Sequence, residues 1–134
     1  MGSTFQADIP GNRHNAQIRF TASAASDGAA ARNDETFSAP QNIEILGATW
    51  TPTGADQGAH AASYRRITLV NGAVVLSSIN MTASIASFSS SALSGTATLA
   101  DGAIVAASQV TVGGDHATGT VFRAGTLDIE YRYI

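Results

Sequence analysis

From Thr126 to Ile134 the chain reads TLDIEYRYI, and the alternation is unbroken. Leu127, Ile129, Tyr131 and Tyr133 fall on one side of an extended backbone, while Asp128, Glu130 and Arg132 fall on the other. Successive side chains of a β-strand point to opposite faces, so this segment predicts a strand with one buried and one wetted side. The same period recurs in NAQIRF, where Ile18 and Phe20 oppose Arg19. It recurs in YRRITLV, where Arg65, Ile67 and Leu69 oppose Arg66, Thr68 and Val70. NIEILGATW sets Ile43 and Ile45 against Leu46 and Trp50. Apolar groups are therefore expected on both of its faces, as in an interior strand or one whose second face meets a partner. Helical periodicity is nearly absent.

Glycine divides these runs. Asn71-Gly72 separates RITLV from AVVLSSI, Asp101-Gly102 separates TATLA from AIVAAS, and Gly113-Gly114 follows SQVTV. The first two are hairpin signals. Short alternating runs with frequent turns predict an all-β chain, a single-domain antiparallel β-sandwich. A chain of 134 residues suits one such domain. Many of its hydrophobic residues are alanine, so the core is expected to be thin, as between two facing sheets. The expected division is an N-terminal arm over residues 1–14 and a sandwich over 15–134. The arm is either mobile or ordered on a neighbour. Thr21 to Glu35 and Gly54 to Ser63 read as long loops, the second a candidate for binding. INMTASIASFSSSALSGTAT predicts an edge strand around Ile85 to Phe88 with a flexible continuation.

Charged residues make up only 13%, about half the usual share. Every basic residue is an arginine (Arg13, Arg19, Arg32, Arg65, Arg66, Arg123 and Arg132), a pattern that fits either an interface-rich surface or the codon usage of the source. A net charge of −3 argues against a nucleic-acid partner. With no cysteine there is neither a disulfide nor thiol chemistry. The first fifteen residues lack the basic flank and apolar stretch of a signal peptide, so synthesis in a host cytoplasm is expected. Gly2 is no myristoylation site, because Gln6 stands where Ser or Thr is wanted. No apolar run approaches a membrane span, and no membrane partner is expected.

Catalytic patterns are scarce. His14, His60 and His116 form no ligand-spaced pair. Asp115-His116 reads as a polar hairpin tip, and Asp56 with His60 as loop polarity. No calcium-type acidic run occurs, so no metal is expected. The serines lack a nucleophile elbow. Asp128 and Glu130 share a strand face as a carboxylate pair would, but Arg132 continues the row, which reads as a solvated charged face. The glycine-rich loops lack the Lys-Ser/Thr of a phosphate cradle, so no cofactor is expected. Asn80-Met81-Thr82 matches a glycosylation sequon by chance. The expectation is a protein that is not an enzyme.

Several of these segments carry a resemblance. Phe37, Ala39 and Pro40 open the strand IEILGATWTPTGA, which leads through a loop into YRRITLVNGA. GTATLADGAIVAAS and the closing GTVFRAGTLDIEYRYI follow. Over roughly residues 35 to 134 this order resembles the capsid decoration (cement) and head-fibre-like proteins of tailed phages, which have a jelly-roll-like β-sandwich. One departure stands out. The middle turn of those proteins is similar to Ala-Gly-Asp, whereas here Asp101 precedes Gly102, so no side-chain role carries over at that acidic position.

The resemblance implies a virion protein on the capsid exterior. Its partners would be the major capsid protein lattice and its own copies, with a homotrimer favoured. The alternative is a lectin-like or adhesive sandwich, such as a fibre tip, binding glycans through Trp50, Tyr64 or the Gly54–Ser63 loop. Trp50 is expected either in the core or at an interface. Pro40 and Pro52 bracket its strand, because proline ends ladder pairing.

Overall fold

The computed structural model describes residues 12–21, 35–93 and 96–134. Among them are nine strands and no helix: β1 (Arg13–Phe20), β2 (Thr36–Ser38), β3 (Ile43–Pro52), β4 (Tyr64–Asn71), β5 (Val74–Asn80), β6 (Ser91–Leu93), β7 (Ala97–Leu99), β8 (Ile104–Val112) and β9 (Gly125–Tyr133). All pairings are antiparallel. One sheet runs β1-β9-β3-β6, with β7 also on β3; the other runs β2-β8-β4-β5. The expected all-β sandwich is therefore what forms. Most of the expected arm, residues 1–11, lies outside the described residues, as do 22–34 of the long loop after β1, whereas Arg13 and His14 open β1.

The alternation seen in the sequence sets the layers. Ile18 and Phe20 of β1 and Leu127, Ile129, Tyr131 and Tyr133 of β9 are buried. Ile67 and Leu69 of β4 with Val105 and Ala107 of β8 meet them from the other sheet in one apolar cluster. Burying an aliphatic side chain of this size contributes about 1.5–3 kcal/mol, and that is what fixes the register of each strand.

β3 departs from expectation. Ile43, Ile45, Ala48 and Trp50 are all buried, although simple alternation sets the first two against Trp50. Ile45 pairs with Tyr131 and Gly47 with Glu130, so Leu46 is an extra residue without a partner on β9. This β-bulge shifts the phase by one and turns both halves of the strand inward. β3 is interior, as expected, but for a different reason. β9 lies along one edge of it; β7 (at Ile43–Ile45) and β6 (at Ala48–Trp50) share the other. Pro52 pairs with Gly125 as the last residue of the strand, where a missing N–H costs little.

The turns divide into two kinds. Asn71 pairs with Val74, so the β4–β5 hairpin turns on Gly72-Ala73, with Gly72 at φ +60°, one residue later than the Asn-Gly signal suggests. Asp101-Gly102 is not a hairpin. β7 belongs to one sheet and β8 to the other, and Gly102, at φ +83°, turns the chain across the sandwich. Its N–H bonds Ala39 O at 2.9 Å, and Ala39 N bonds Ala103 O at 2.9 Å, which ties the crossover to the end of β2. No strand forms at Ile85 to Phe88. Ile85 makes a single bridge with Gln57, and Phe88 sits at φ 63° with 75% of its surface exposed.

Candidate docking face

The two outer faces of the sandwich differ in chemistry. On the β1-β9-β3 sheet, the outward residues are charged and cross-paired. Arg13 Nη1 meets Glu130 at 2.9 Å, and Arg132 is paired with Glu44 across β9 and β3. Gln17 Nε2 donates to Asp128 at 2.8 Å. At the margin of this face, Arg19 bonds Glu35 through both its guanidinium and its backbone N–H. These bonds, the guanidinium's first and then the backbone N–H's, hold the Glu35 carboxyl below the usual carboxylate range. Asp128 and Glu130 thus lie on a solvated charged face and are each engaged by a neighbouring strand.

On the β2-β8-β4-β5 sheet the outward residues are Thr36 and Ser38; Ile104, Ala106, Ser108, Val110 and Val112; Tyr64, Arg66, Thr68 and Val70; and Val75, Ser78 and Asn80. Arg66 is the one charge among them. A groove of about 370 Å³ crosses this face, floored by Val70, Val75 and Val110 with Thr68 and Ser108. The Thr68 and Ser108 hydroxyls satisfy each other at 2.6 Å, so the floor presents few open polar groups. Arg66 Nε donates to Asn80 Oδ1 at 2.8 Å, which draws the guanidinium from β4 across β5. Protein interfaces concentrate apolar and arginine side chains and exclude other charges at their centre, and this face has that composition.

The loop Gly54–Ser63 is held down rather than displayed. A Cβ on Gly58 would collide with Thr118 O, one on Gly113 with Ala62 O, and one on Gly119 with Ser63 O. Three close backbone approaches therefore clasp the loop to the β8–β9 connection. His60 and His116 stack there, ring centroids 3.9 Å apart. His60 Nδ1 accepts the N–H groups of Ala62 (3.2 Å) and Ser63 (3.1 Å), and His116 Nδ1 faces Thr118. Sequence spacing gave no hint of this pairing, because 55 residues separate the two positions and the clasp is tertiary. Asp115 remains an exposed loop residue, and Asp56 caps the turn at Ser87 N at 2.9 Å. His14 lies elsewhere, against Tyr131 and Tyr133 at 5.5 and 4.7 Å. Among the described residues no three His, Asp or Glu converge in a way that could hold a metal ion.

Two further side chains behave unlike their residue type. Arg65 is fully buried on the inner face of β4, its guanidinium carbon 3.3 Å from the Phe122 ring centroid. This cation–π contact closes the clasped end of the sandwich. Gln109 bonds both Arg123 O (2.6 Å) and Arg123 N (3.2 Å), doing for the β8–β9 connection what a neighbouring strand would do. Trp50 is fully buried against Phe20 at 5.7 Å and is core, not a sugar platform.

No protein-family model matches the chain. No curated protein sequence matches it either. Among solved structures, the chain is similar to one of infectious bursal disease virus, Gx strain, with a TM-score of 0.47, 8% identity and coverage of 94% of this chain and 34% of that one. A VP2 subviral particle of the same virus gives 0.44, 9%, 92% and 34%. The Gt strain gives 0.44, 10%, 92% and 34%. The chain spans about a third of the length of each of those proteins, and superposition at this level is loose.

Proposed function

We propose that this chain is a virion structural protein that docks on the outer surface of an assembled capsid and reinforces it, as a decoration or cement protein. The observation that carries the reading is the contrast between the two outer faces. One is laced with cross-strand charge pairs; the other carries Arg66 alone above a floor of valines and hydroxyls. A sheet with no partner to meet gains nothing from leaving one face without charge. The order of strand and turn types over residues 35 to 134, which resembles the phage decoration proteins, supports the same reading.

The size of the face suits a lattice. Strands about 4.8 Å apart and about 25 Å long give roughly 400–500 Å² of face, or about 800–1,000 Å² over both partners. A stable pairwise complex buries about 1,200–2,000 Å². One contact of this size is weak, and several on one oligomer reach useful avidity on a repeating surface. A homotrimer is the oligomer proposed. The test is a micromolar titration of the purified protein against undecorated capsids of the parent virus, read by co-sedimentation. Saturable binding with a fixed copy number is expected; no binding across the range contradicts the function.

A further inference from the structure

Strand edges are where sheets recruit other chains, and proteins normally guard them with charge, proline or shortness. β2, β6 and β7 have three residues each. β1 is long, but its outward side chains are Arg13, Asn15, Gln17 and Arg19. β5 is different: seven residues, VVLSSIN, with no charge and no proline, at the end of its sheet. At its start Val74 and Val75 are 61% and 58% exposed. Among the described residues no strand pairs with its far side.

Arg66 gives this edge a polarity. Its guanidinium is held over Asn80, at the far end of β5, by the 2.8 Å bond to Asn80 Oδ1. The basic groups of the opposite face each have an acidic partner within the chain, whereas Arg66 is held by an amide alone. Two copies joined antiparallel through β5 would set each Arg66 beside the other's Val74–Val75 end and leave its charge uncompensated. Charge complementarity instead selects a foreign strand with a carboxylate at that position.

Resting on the reading of this sheet as the docking face, we propose that β5 takes an extended segment of a partner protein as a fifth strand. That segment carries one Asp or Glu, which pairs with Arg66 and sets the register, and small aliphatic or Thr side chains that pack beside Val75 of β5. Main-chain bonds to β5 supply affinity and the Arg66 contact supplies specificity.

The probe is a random decapeptide library selected on the full-length protein, followed by the best peptide synthesised and titrated. Selected peptides are expected to share one acidic residue at a constant position. Arg66→Gln and Val75→Lys should each weaken the peptide at least tenfold while leaving the thermal melt unchanged, since both side chains lie on the outer face. Hydrogen exchange should slow across Val74–Asn80 when the peptide binds. The proposal is overturned by a selection that yields no peptide or peptides without a common acid, by affinity within twofold in Arg66→Gln, or by protection elsewhere. Self-association of the wild type through β5 would also overturn it, by naming a second copy as the occupant. Capsid co-sedimentation separates the two readings. If wild type and Arg66→Gln bind particles equally, this inference fails and the function stands. If peptides behave as described but no particle is bound, the function fails and the strand site stands.

Discussion

Trp50 has no exposed surface, and its ring meets the edge of Phe20 at 5.7 Å. Gly125 makes this possible, because a Cβ there would lie 2.6 Å from the indole. The indole N–H has no hydrogen-bond partner, so shape and area hold the residue rather than polarity. Trp50→Ala should cost about 3–5 kcal/mol, and Trp50→Phe clearly less, in urea unfolding. Equal losses would show that the N–H matters after all. Tyr131 makes a second prediction. Burial first, and then its neighbour Tyr133, raise its pKa above the ordinary tyrosine value. A group raised in the folded state stabilises fully below its unfolded pKa, and that stability is lost as pH rises toward the folded one. Stability should therefore fall above the ordinary tyrosine range of about pH 10, and Tyr131→Phe should flatten that slope in thermal melts. A slope unchanged in the variant would place its origin elsewhere.

At the scale of elements, the bulge in β3 is the device that most affects the core. Deleting Leu46 would restore a regular ladder and keep Ile43, Ile45, Ala48 and Trp50 inward. Deleting Leu46 and Gly47 together would place Ile45 directly before Ala48 and turn Ile43 and Ile45 outward relative to Trp50, at about 1.5–3 kcal/mol for each isoleucine. Circular dichroism should show a cooperative melt for the single deletion and none for the double deletion. The reverse result would mean that the bulge does not set the phase.

This strand also marks the boundary of what was legible in the sequence. β1, β4 and β9 could be read because burial on one side leaves a strict period of two. β3 could not be phased, since a bulge is one unpaired residue and Leu46 looks like any other apolar position. Asp101-Gly102 has the composition of a hairpin turn, yet whether a turn closes a hairpin or crosses between sheets depends on which strands pair, and no local signal carries that. The edge strand expected near Ile85 failed because its serines and alanines bury too little to compete with the single bridge to Gln57.

For the whole molecule, the sandwich separates its tasks. One outer face is neutralised by internal ion pairs, one end is clasped by glycines and stacked histidines, and the remaining face, with Arg66 as its one charge, is the one proposed to dock. The signal for that face was present in IVAASQVTV, which has no charge at any position, but alone it reads as a doubly buried strand. Its meaning emerged only when β8 proved to have one side open. The most direct test is co-sedimentation with undecorated capsids of two folded variants that each add one charge, Val110→Asp on the open face and Gln17→Lys, beside Asp128, on the charged one. The account predicts that Val110→Asp loses particle binding at least tenfold while Gln17→Lys binds as the wild type does. Equal binding by both, or loss confined to Gln17→Lys, would contradict it.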